Sequence, residues 1–114
     1  MHELGIAKDL FQVVIIEAKK NKASKITKIT IKVGEAGGIE HDFLMHSIKD
    51  HLLPGTIAEN AAIELIEDPV KFKCNRCLME FTANANNCCP HCKSVTFEIV
   101  SGQDTYVDSI ETEN

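Results

Sequence analysis

A chain of 114 residues has room for one domain, or one domain with a small insert, and its core must be modest. Lys and Arg number 12 against 17 Asp and Glu, a formal net charge of -5; this weighs against nucleic acid as the main partner, because affinity there comes largely from neutralising phosphates. No apolar run approaches the roughly 20 residues of a membrane span, and MHELGIAKDL lacks the basic stretch that opens a signal peptide, so a reducing, cytoplasmic setting is expected.

Residues 3–20 read as a helix, with Ala7, Leu10, Phe11, Val14 and Ala18 on one face. Val13, Ile15 and Ile16 widen the apolar arc, which predicts a helix covered on most sides. KNKASK at 20–25 is a polar break. ITKITIKV at 26–33 alternates, with Ile29, Ile31 and Val33 on one face and Lys28, Thr30 and Lys32 on the other, as a half-buried strand does. A glycine loop, Gly34 to Gly38, follows, and Glu35 in it reads as a solvated acid. A second helix is expected at about 41–52, with Leu44, Ile48 and Leu52 spaced by four, ended by Pro54-Gly55. Five-residue steps do not stack side chains on one α-helical face, so His46 and His51 read as separate surface residues. Residues 61–67 alternate as a second strand, which Asp68-Pro69 breaks.

From Val70 the composition changes. VKFKCNRC, a polar loop, CPHC and SVTFEIV are too short to build a second apolar core, so metal must organise this stretch. The tail DTYVDSI alternates and is able to return to the first sheet. The expected fold is α+β: two helices on a three-stranded sheet (residues 1–69 plus 98–114), with an inserted zinc-ribbon-like lobe (70–97).

The chain has five cysteines, and without an export signal a cluster of them points to metal rather than disulfides. Cys74-x2-Cys77 and Cys89-x2-Cys92 each wrap one edge of a tetrahedron, and together they close a four-sulfur shell for Zn2+. A closed shell leaves no position for water or substrate, so the site reads as structural. Iron in a rubredoxin-like shell is the chemical alternative, although no Gly follows Cys77. Cys88-x2-His91 is a competing knuckle. Cys89 is preferred because Pro90 then lies inside the turn, which leaves His91 facing solvent. No nucleophile and base stand at motif spacing and no phosphate loop precedes a helix, so no enzyme is expected. A zinc-ribbon interaction module and an iron electron carrier remain as rival functions.

Met1-His2-Glu3 offers a second metal chemistry. The free amine, the His2 amide nitrogen and the His2 Nδ1 form consecutive chelate rings. Planar nitrogen donors of this kind suit Ni2+ or Cu2+. A fourth position stays open to Glu3, Glu40, His41 or a group from the zinc lobe. A single His near a chain start is usually a plain exposed residue, so the triplet alone does not separate the readings.

Together, the Met1-His2-Glu3 opening, the helix, the Gly34-Glu35 loop between strands and the Cys-x2-Cys…Cys-Pro-x-Cys pattern resemble the HypA/HybF family over nearly the whole chain. The family serves nickel–iron hydrogenase maturation. The resemblance implies a nickel metallochaperone, with His2 as nickel ligand, Met1 contributing its amine, and Glu3 and Glu40 at neighbouring positions. It implies structural zinc on Cys74, Cys77, Cys89 and Cys92. It implies a HypB-type GTPase and the hydrogenase large subunit as partners, and in some organisms urease accessory proteins, with the chain a monomer or homodimer. His41 stands where the family commonly has Pro, which adds a nitrogen donor near that site.

Overall fold

The structure is a computed structural model and describes residues 3–83 and 86–114, with side chains from Gly5 onward. Met1, His2 and the Glu3 side chain, which carry the expected nickel triplet, lie outside the described part.

The first helix, α1, runs Glu3–Lys20. Ala7, Leu10, Val14 and Ala18 are buried as their spacing predicts. Val13 and Ile16 are instead 53% and 56% exposed, so the wide apolar arc is not covered all round. Three strands set a limit here, because a narrow sheet shields one face of a helix and little more.

Strand β1, Lys25–Gly34, is the centre of that sheet. It pairs in parallel with β2 (Ala62–Asp68) and antiparallel with β6 (Tyr106–Glu113), in the order β2-β1-β6. The tail therefore does return to the first sheet. Ile26 and Ile29 lie three apart, yet both are buried, which plain alternation forbids. A bulge explains it: Ile26 pairs with Thr112 and Lys28 with Glu111, so Thr27 is unopposed and the strand changes face.

The parallel pairing of β1 and β2 needs a crossover, and the second helical region supplies it. After a 3-10 turn at Glu35–Gly37, α2 occupies His41–His46 and runs directly into a π-helical segment, Ser47–Leu52. The Leu53 N–H bonds the Ile48 carbonyl at 3.0 Å, five residues back. The wider turn moves the apolar face by one residue. Leu44, Ile48 and Leu53 are buried, where α-helical spacing had selected Leu52. These side chains join α1 and the inner face of β1 in one core.

The second sheet is antiparallel, in the order β4-β3-β5, from β3 (Lys71–Cys74), β4 (Glu80–Phe81) and β5 (Phe97–Ser101). β5 thus belongs to this sheet through Ser101, beyond the boundary at 97 expected from sequence. Alternation in SVTFEIV predicts a strand but cannot name its partner. Phe72, Phe81 and Phe97 pack mutually with ring centroids 5.1–5.7 Å apart. Some aromatic packing therefore assists the metal. Even so, among the described residues the buried apolar cluster lies wholly in the first sheet, its helices and the turns that lead into β2.

Two connections, through Pro69-Val70 and through Gly102, join the sheets. Gly34 and Gly102 let backbones meet there. A Cβ on Gly34 would sit 2.6 Å from the Gly102 carbonyl oxygen, and one on Gly102 would sit 2.6 Å from the Val70 Cα. Gly102 also holds φ at +88°. Glu35 is exposed as expected, and it also anchors the linker. Its Oε1 accepts the Val70 N–H at 2.8 Å, and Asp68 Oδ2 accepts the Gly102 N–H at 3.3 Å.

Candidate metal centre

Each knuckle is built by the same backbone device. In the first, Cys74 O accepts the Leu78 N–H at 3.0 Å and Cys74 N–H donates to Met79 O at 2.9 Å. In the second, Cys89 O accepts the Lys93 N–H and Cys89 N–H donates to Ser94 O, both at 2.9 Å. Leu78 and Lys93 hold equivalent left-handed positions, with φ of 64° and 66°. This is where Gly would be the easy residue. The missing Gly after Cys77 therefore does not prevent the turn. The sequence reading overlooked Leu78 and Lys93; their place just after the second cysteine of each knuckle was the available signal.

The two turns bring Cys74, Cys77, Cys89 and Cys92 together, with all four sulfurs within 4.8 Å of one another. Cys74 and Cys92 approach to 3.4 Å, and Cys77 and Cys89 to 3.5 Å. A zinc tetrahedron with Zn–S near 2.3 Å has edges of about 3.8 Å. The cluster fits a structural zinc site with a small outward adjustment. Cys89 supplies the fourth sulfur, and Cys88 is not a member of the group. His91 is exposed.

The electrostatics call for a cation. The Cys77 backbone N–H draws Cys74 down to about 6 against the cost of burial, and the Arg76 N–H and the facing sulfurs assist. Cys89 is lowered as well, mainly by the Cys92 backbone N–H. The Met79 N–H favours ionised Cys77, but burial and the facing sulfurs outweigh it and push Cys77 up to about 12. Four thiolates this close repel one another, and a dication removes that penalty.

Of the other expected site residues, Glu40 and His41 fall within the described part. Glu40 caps α2, with its Oε1 accepting the Asp42 N–H at 3.3 Å. With Glu35, His41 and Glu67 it borders a cleft of about 250 Å3. Among the described residues, only the four cysteines place three or more ligand atoms close enough to share an ion.

A two-sheet α+β chain that gathers four cysteine sulfurs at its second sheet defines a protein built around a structural metal site. A family model described as hydrogenase/urease nickel incorporation, metallochaperone, HypA, matches residues 1–112. The chain belongs to this HypA family. It is 35% identical over 115 residues to hydrogenase maturation factor HypA of Caldanaerobacter subterraneus, covering 99% of this chain and 100% of the relative. The corresponding factor of Aquifex aeolicus is 32% identical, covering 99% and 98%. The solution structure of the nickel metallochaperone HypA from Helicobacter pylori superposes with a TM-score of 0.75 at 23% identity, covering 99% of this chain and 98% of that one, a likeness of fold. Among the described residues, no helix is long and apolar enough to cross a membrane.

Proposed function

We infer that this chain carries Ni2+ on its N-terminal amine, the His2 amide and the His2 imidazole, and hands it over in the cytoplasm rather than catalysing a reaction. The observation that carries this reading is a family match that begins at residue 1 and so takes in Met1-His2-Glu3. The donor set suits the task. Consecutive chelate rings hold the ion, and a single replaceable ligand gives a recipient somewhere to attack. Glu3, Glu40 and His41 compete for that fourth place.

The first sheet and its helices form the nickel-holding unit, and residues 71–101 form the zinc unit. The zinc shell is closed and stays with the protein while nickel passes through. The recipients are a HypB-type GTPase and the hydrogenase large subunit, with urease accessory proteins as a second route.

The test is calorimetric titration of zinc-loaded, untagged protein with Ni2+. His2→Ala removes the tight nickel equivalent and leaves zinc content and fold unchanged. One extra residue before Met1, which displaces the amine, weakens the same equivalent. Unchanged affinity in both variants contradicts the assignment. Colour separates the iron reading, because ferric tetrathiolate is red and the zinc protein is colourless.

A further inference from the structure

The π-helical segment changes which histidines are neighbours. In an α-helix, residues five apart diverge, but here the extra residue in the turn brings His46 and His51 onto one face. Their ring centroids are 5.2 Å apart, at an interplanar angle of 83°. Asp50 lies one α-helical step from His46, and its Oδ2 meets His46 Nδ1 at 2.5 Å. All three residues are exposed, so nothing in the core depends on this arrangement.

We propose that His46 and His51, with Asp50 orienting His46, form a second metal site for a borderline divalent cation such as Ni2+, separate from the N-terminal chelate and from the cysteines. Two observations and one point of chemistry carry it. First, two imidazoles sharing one ion at metal–nitrogen distances near 2.1 Å and a near-tetrahedral angle place their ring centres about 5 Å apart, which matches the spacing seen. Second, Asp50 accepts the Nδ1 proton of His46. That fixes the tautomer and leaves the Nε2 lone pair for an ion, as in carboxylate–histidine–metal triads. Third, imidazole nitrogen is a donor that nickel, copper and zinc all accept. Two protein nitrogens leave the remaining positions to water, so the site binds more weakly than the N-terminal chelate. An exposed, partly hydrated site suits transient loading.

Ni2+ titration of the zinc-loaded full chain tests this independently of the N-terminal reading. Wild type takes up two equivalents of different strength. His51→Gln and His46→Gln each lose the weaker one and keep the tighter one, whereas His2→Ala loses the tighter one and keeps the weaker. Asp50→Ala weakens the second equivalent about 10- to 100-fold. Asp50 is a positioning residue, so its variant also shifts the imidazole nitrogen resonances of His46 away from a pure Nδ1–H tautomer before any metal is added, and Asp50→Asn restores them. A single nickel equivalent in wild type overturns the proposal. So does a weaker equivalent that survives in both histidine variants.

Discussion

Gly102 sits where the two sheets meet, and two separate constraints fall on it. Its φ of +88° is open mainly to glycine, and a Cβ would press on the Val70 backbone at 2.6 Å. Backbone cannot rotate aside as a side chain can. Gly102→Ala is expected to cost about 1–3 kcal/mol and to lower the melting temperature by several degrees; an unchanged Tm contradicts the close approach. The cysteines make the second residue-scale prediction. Cys77 is pushed up to about 12, so it enters the zinc shell by giving up a proton at neutral pH. Cys74, lowered to about 6, keeps its thiolate down to that region. A depressed acid contributes stability that is complete above its unfolded value and is lost as pH falls through its folded one. Zinc and protons compete for these sulfurs, so zinc affinity falls as pH falls, measurable with a chromogenic chelator. Zinc release that is the same in neutral and mildly acidic buffer would count against this.

At the scale of elements, zinc carries what burial carries elsewhere. The buried side chains of the first unit come from α1, β1, the crossover helix and the turns after it, whereas the second sheet has three phenylalanines and its sulfurs. Removing zinc should collapse the amide signals of residues 71–101 while those of α1, β1 and β2 persist; loss of both sets together would mean one cooperative unit. The elements also show what the sequence makes legible. Alternation located β1, β2 and β6, and Cys-x2-Cys spacing located the sulfur cluster, because both signals are local and periodic. The π segment escaped. Its only trace is that Leu53 replaces Leu52 on the buried face, a one-residue slip that spacing by four conceals. The pairing of His46 with His51 escaped with it. Glu35 is exposed as expected, but its bond to Val70 escaped for a different reason: that partner is distant in sequence and is brought near only by the fold.

The whole molecule is long and two-ended, 53 × 27 × 18 Å, with a radius of gyration of 17.5 Å. A compact chain of this length would have about 13 Å. The close backbone packing at Gly34 and Gly102, with Glu35 and Asp68 capping the linker amides, ties the two sheets at one narrow junction. That junction begins where the Gly34-Glu35 loop leads toward Glu40, so the zinc end is mechanically continuous with the loop before α2. On the proposed reading, the four sulfurs are the frame of a carrier whose nickel binds at the N-terminus. The most direct test is metal analysis with nickel titration of untagged protein retaining its native Met1, beside His2→Ala. The account predicts one zinc in both proteins and a tight nickel equivalent in the native chain alone. A tight nickel equivalent that survives the substitution, or that is lost only along with the zinc, would contradict it.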